Sequence, residues 1–165
     1  MKRIFITGCL VIAGVTLRAQ SSSVNNAVKI RRTDSLIIAT IISPEEQQAG
    51  EDSREPDWAS LSPLIKTKYS AEDAERSITK AKIYFYYGKD WPEFNKALVL
   101  YTVKYEDKND LRLMNINANY ILKFSSDPEE LKTALGWIKP ALEKEPGNQD
   151  YKKTYDALNT KITSN

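Results

Sequence analysis

Ala134-Leu135-Gly136-Trp137-Ile138-Lys139-Pro140-Ala141-Leu142-Glu143-Lys144-Glu145-Pro146-Gly147-Asn148 carries small and bulky residues in a helical rhythm that closes on a turn. Ala134 and Ala141 fall two turns apart on one helix face, where a methyl group lets a neighbouring helix approach closely. Leu135, Ile138 and Leu142 supply the bulk that fills the space beside that seam. Pro146-Gly147-Asn148 then stops the helix and starts a new one.

The same grammar repeats on both sides. Downstream, Asn148 or Asp150 caps a last helix on which Tyr151, Tyr155, Leu158 and Ile162 recur at helical steps. Upstream, Asp127-Pro128-Glu129-Glu130 is a start signal: a capping side chain, an early proline and acids in the first turn. Asn109 or Asp110 opens a helix running to about Phe124. Asp90-Trp91-Pro92-Glu93 opens another, carrying Phe94, Leu98, Tyr101 and Tyr105. Ser70 and Asp73 form a capping-box-like pair ahead of Ala74, Ile78, Ala81 and Phe85, with Gly88 as the stop. Asp57 caps a helix with Trp58, Leu61, Ile65 and Tyr69, and Pro63 either bends it or restarts it with Ser62 as cap. No hairpin signal interrupts the series. The expected fold is therefore all-α, an antiparallel array of helix pairs joined by short polar turns.

Before Asp57 the pattern is less regular. Residues 27–43, AVKIRRTDSLIIATIIS, are rich in β-branched side chains, which suit a strand. A helix is favoured because everything downstream is helical and a lone strand would have no partner. Pro44 is expected to end it, and Glu45 to Pro56, without periodicity, reads as a loop or flexible linker.

Residues 134–148 resemble the second helix and exit turn of a tetratricopeptide repeat, which places a small residue, a bulky residue, a second alanine and a closing proline at these spacings. Met114 to Asn119 looks like the partner helix, with Ala118 where that family wants Gly or Ala. The chain departs from the pattern at Asn117, where a bulky apolar residue is expected, in the longer turn from Phe124 to Glu130, and at Pro140 inside the helix. A broader resemblance covers residues 57–158, through Lys80 and Lys82, Tyr84 to Tyr87, Asp90-Trp91, Asn115 to Ala118, Ala134-Leu135 with Trp137, and Thr154-Tyr155. That order is similar to the helical half of certain exported thioredoxin-family proteins. No Cys-x-x-Cys exists here, so no redox role is implied.

The amino terminus reads as an address. Met1-Lys2-Arg3 is a basic head, Ile4 to Leu17 is apolar, and Ala19 is a small residue at the exit, as in a secretory signal peptide. The run is shorter than the roughly twenty residues that span a bilayer. Cleavage is expected after Ala19, although Leu17 is larger than the residue usually found two positions earlier. Ile6-Thr7-Gly8-Cys9 loosely resembles a lipobox, but the apolar run continues past the cysteine, whereas a lipoprotein leader has its apolar region before it. The expected organisation is a signal peptide over 1–19, an N-terminal helix and linker over 20–56, and a tetratricopeptide-like domain over 57–165. The expected location is periplasmic or secreted, without stable membrane insertion once the leader is cut.

Charge and composition then exclude chemistry. Removing Lys2, Arg3 and Arg18 from 24 basic residues, against 22 acidic ones, leaves a net charge of about −1, so no electrostatic footprint for nucleic acid is expected. The chain has no histidine, and its one cysteine, Cys9, leaves with the leader. Zinc and copper sites lose their usual ligands, and Ser-His-Asp and Cys-His triads are impossible. No cofactor and no metal are expected. Paired acids remain at Glu45-Glu46, Asp73 with Glu75, and Glu129-Glu130. They sit in loops and first helical turns, where capping explains them better than glycosidase chemistry.

What is left is binding. In the repeat family the first helix of each pair lines the concave surface, which implies a partner-binding stripe of Arg112, Asn115, Asn119 and Lys123 on one face of its helix. The asparagines there offer both a donor and an acceptor to a peptide main chain. Tyr84-Phe85-Tyr86-Tyr87 with Trp91 is the second candidate surface. Consecutive aromatics point around a whole helix, so one or two of them must face outward. The expected function is a non-catalytic exported scaffold for a protein or peptide partner. The alternative is a carbohydrate- or envelope-associated accessory subunit that uses the exposed aromatics.

Overall fold

The structure, a computed structural model, describes residues 28–164. The leader, its cleavage after Ala19 and the lipidation of Cys9 lie outside the described residues. Within them every regular element is helical: α1 (residues 28–51), α2 (Trp58–Lys66), α3 (Ala71–Tyr86), α4 (Trp91–Tyr105), α5 (Leu111–Phe124), α6 (Pro128–Lys144) and α7 (Gln149–Ser164).

The starts follow the capping chemistry. Asp57, Asp90, Asp110 and Asp127 each accept a hydrogen bond from a backbone N–H in the first turn of α2, α4, α5 and α6. At α3 the Ser70 and Asp73 side chains cap each other's backbone N–H groups reciprocally. Asn148 Oδ1 accepts from the N–H groups of Asp150 and Tyr151 at the head of α7. The turn after α3 needs a left-handed residue, and Gly88 takes it at φ +76°.

The expectation about Pro44 fails, and of the two alternatives at Pro63 the restart is excluded. Pro44 does not end α1, which runs on to Glu51, so residues 45–51 are helix rather than linker. The turn just ahead of it, Ile38–Ile42, is π-type, with the Ser43 N–H reaching back to the Ile38 carbonyl. Widening the helix there relieves the clash that a proline ring makes with the carbonyl four residues earlier. The short segment after α1 also folds back on it: Glu45 accepts from the Arg54 guanidinium at 2.6 Å and from the Asp57 N–H at 2.9 Å. Pro63 likewise neither stops nor restarts α2, which holds from its Asp57 cap through to Lys66. Pro140 stays inside α6.

Helices that are neighbours in sequence are neighbours in space: α2 on α3, α3 on α4, α4 on α5, α5 on α6 and α6 on α7, with α7 also reaching α5 and α1 lying on α3. The apolar interior forms two clusters. One joins Ile37 and Ile42 of α1 to Leu61, Ile65, Ala74, Ile78 and Ala81. The larger one gathers Tyr86, Phe94, Leu98, Met114, Ala118, Ile121, Leu131, Ala134, Trp137, Ile138, Ala141, Tyr151 and Leu158. Ala118, Ala134 and Ala141 are fully buried, as a close-approach seam requires.

Candidate functional site

One groove of about 670 Å³ opens along α4, with α3 and α5 as walls and the first turns of α1 at one end. Its floor is the α4 stripe Phe94, Leu98, Tyr101 and Tyr105. One wall is Lys80, Ile83 and Tyr84 of α3 with Tyr87 at its C-terminal cap, and the other is Leu113, Asn117 and Tyr120 of α5. Each set is a helical stripe, so the groove is written in the sequence as three faces that only the packing brings together. At the α1 end, Ile30, Arg31 and Asp34 close it against Glu106 and Asp107.

The aromatic run divides as its spacing demands. Tyr86 is buried; its hydroxyl accepts from Trp58 Nε1 at 3.1 Å and donates to Glu55 at 3.1 Å. Tyr84 and Tyr87 are 70% and 52% exposed, and both look into the groove. Tyr87 meets Phe94 and Tyr120 edge to face, with centroids 5.6 and 6.1 Å apart. At the other end Tyr101 and Tyr105 lie 5.5 Å apart. Burial raises both phenols, that of Tyr105 to about 12 with help from the Glu75 carboxylate, so each stays a neutral hydroxyl at physiological pH.

Beneath the α1 end lies a buried ionic knot. Asp34 accepts from Arg76 Nε at 2.9 Å and from Ser77 Oγ at 3.1 Å, while Lys80 Nζ stands 4.0 Å from its second oxygen. Arg76 also reaches Asp73, at 2.5 Å. Burial works against the Arg76 charge, but Asp34 and Asp73 outweigh it and raise its pKa. The two acids and two bases balance one another. Glu106, at the lip, is different. Lys80 is turned to Asp34, and Lys108 Nζ donates to the Thr102 carbonyl, so Glu106 has no ion-pair partner among the described residues. Burial pushes its carboxyl up, and the charges of Lys80, Lys108 and Arg31 offset only part of that.

Arg112, Asn115, Asn119 and Lys123 lie on α5 but line no part of this groove. Asn119 Nδ2 donates to Thr154 Oγ1 of α7 at 2.9 Å and to the Asn115 carbonyl at 2.9 Å. That amide therefore ties α5 to α7. Lys123 lies 5.0 Å from the Phe124 ring, and Arg112 is exposed. The α5 residues that do reach the groove are Leu113, Asn117 and Tyr120. The signal was present in Asn117, singled out as a departure from the repeat pattern: it is 6% exposed and donates to Thr102 Oγ1 across the α4–α5 seam at 2.9 Å.

Five of the six paired acids have structural partners, and Glu46, whose carboxyl burial pushes up, has no ion pair or hydrogen bond among the described residues. Glu45 holds Arg54, Asp73 caps α3 and holds Arg76, Glu75 meets Lys104 at 2.5 Å, Glu129 meets Lys132 at 2.7 Å, and Glu130 accepts from Ser125. Among the described residues no helix is long and apolar enough to cross a membrane.

No protein-family model, curated protein or solved structure matches the chain. What defines the molecule is thus its own geometry: an all-helical protein with a single-file series of helices and a tyrosine-lined groove along one of them.

Proposed function

We propose that this chain is a non-catalytic, exported scaffold whose tetratricopeptide-like helix pairs present the groove along α4 to an extended segment of a protein partner. The observation that carries this reading is the groove itself. Five tyrosines, Tyr84, Tyr87, Tyr101, Tyr105 and Tyr120, line it together with Ile83 and Leu98. Tyrosine gives large contact area with few rotamers to freeze and a hydroxyl to pair with main-chain groups. Support for the repeat-like pairing comes from the buried alanines at the seams and from the sequential packing of α3 through α7. Support for export comes from the basic head, apolar run and small exit residue at positions 1–19. The absence of histidine anywhere in the sequence, and the structural partners of five of the six paired acids, favour binding over catalysis.

The carbohydrate alternative rests on the exposed rings of Tyr84 and Tyr87. Trp91 reports on both readings, since its ring packs 5.5 Å from Tyr87 and 5.5 Å from Phe94. Titrating the exported protein with mixed short peptides and, separately, with a glycan panel should give a saturable fluorescence change with peptides alone. That change should disappear in Trp91→Phe, which removes the reporter, and binding should weaken in Tyr84→Ala with Tyr87→Ala. A response to glycans only would hand the groove to the alternative. A response to neither would remove both.

A further inference from the structure

We infer that the groove selects an extended peptide segment bearing a lysine or arginine side chain, which Glu106 receives at the α1 end; the inference rests on the peptide reading above. The charges of the site point to it. Asp34, Asp73, Arg76 and Lys80 are consumed by one another in the buried knot. Lys108 is engaged by the Thr102 carbonyl. At the lip Arg31 and Lys108 balance Glu106 and Asp107 in number. Asp107, however, is taken up by the Asn109 N–H and side-chain amide, whereas Glu106 has neither an ion pair nor a hydrogen bond among the described residues. Glu106 is half-buried, so it has given up hydration without gaining a salt bridge in return. A ligand cation restores what was lost, as a charge-assisted hydrogen bond.

The rest of the groove suits such a segment. Tyr101 and Tyr105 flank the same end, and tyrosine rings attract a guanidinium or ammonium through their faces. Deeper in, Asn117 is 6% exposed with its Nδ2 committed to Thr102. Its Oδ1 accepts no hydrogen bond among the described residues, which leaves a nearly buried acceptor lining the groove for a main-chain N–H. From Phe94 to Tyr105 the floor covers about 16 Å of helix, and an extended chain of about five residues spans that distance. The ligand is therefore a short stretch of main chain with one basic side chain at the Glu106 end.

The test uses fluorescein-labelled short peptide pools, acetylated and amidated at their ends, that share one fixed position occupied by arginine, norleucine or glutamate. Anisotropy is read on the exported protein and on Glu106→Gln, which keeps the shape of the side chain and removes its charge. The arginine pool should bind wild type about tenfold more tightly than the norleucine pool, with the margin shrinking as salt rises. In Glu106→Gln the two pools should become equal, with the helical circular dichroism unchanged. Norleucine or glutamate pools that bind wild type as tightly as the arginine pool would overturn the basic preference and leave the peptide reading standing. Binding of no pool would overturn both.

Discussion

The two halves of the interior are held by different means. Around α1, α2 and the first part of α3 the cluster is small and aliphatic, built from Ile37, Ile42, Leu61, Ile65 and Ile78. It is closed by an ionic contact between Asp34 and Arg76, residues 42 apart in the chain. From the end of α3 to α7 the cluster is larger and aromatic, and each helix packs chiefly on its neighbours in sequence. The contrast shows two solutions to one problem. A run of capped helices with alanine seams folds from local instructions. Its seams are cross-linked by single polar contacts such as Asn117 to Thr102 and Asn119 to Thr154 rather than by a buried ionic cluster. A helix that precedes the array must be fixed to it across a long loop of chain, and loop closure is costly before contacts repay it. A buried salt bridge is a weak source of net stability but a strong selector of one arrangement, and here it also positions the end of the groove.

That difference can be broken by mutation. The largest effect should come from the aromatic half: Ile138 is fully buried, and Ile138→Ala should cost about 3 to 4 kcal/mol of unfolding free energy, read by urea denaturation. Asp34→Ala should cost about 3 kcal/mol, near the lower bound for leaving a buried charge short of a partner, because Arg76 keeps Asp73. If the halves differ as described, Asp34→Ala should perturb the fluorescence of Trp58, which sits on Phe85 and Tyr86, before that of Trp137. Simultaneous loss of both signals would mean one cooperative unit and would erase the contrast.

The smallest effect sharpens it at the groove lip. Glu106 has its carboxyl raised above the ordinary 4.5, first by burial. The folded state therefore holds that proton more tightly than the unfolded state, and the stability it brings is lost as pH rises from about 4.5 through the higher folded value. Wild type should thus lose stability relative to Glu106→Gln across that interval, and thermal melts at stepped pH would read the difference. A flat difference, or one of opposite sign, would mean that Lys80, Lys108 and Arg31 already compensate the charge.

How much of this was legible beforehand varies along the chain. The caps at Asp57, Ser70, Asp90 and Asp127 were readable because each depends on a side chain within a few residues of the backbone it bonds. That one or two of the four consecutive aromatics face outward followed from helical period, while the structure decided that they are Tyr84 and Tyr87. The continuation of α1 past Pro44 was not readable, because a proline breaks an α ladder and nothing local announces a π turn ahead of it. The groove was not readable either. Tyr101 and Tyr105 were marked as a helix stripe and Asn117 as a departure, yet their meeting depends on which face of α5 turns to α4.

The sequence by itself determined the helices from Asp57 onward, their capped starts, the alanine seams and the chemistries that the missing histidine forbids, since all of these rest on residues close in the chain or on composition. Only the tertiary structure decided that α1 belongs to the core through Asp34 and Arg76 and that three separate stripes form one groove. It also decided that Asn119 serves the α5–α7 contact. Those outcomes depend on distances between residues far apart in the chain, which periodicity does not encode.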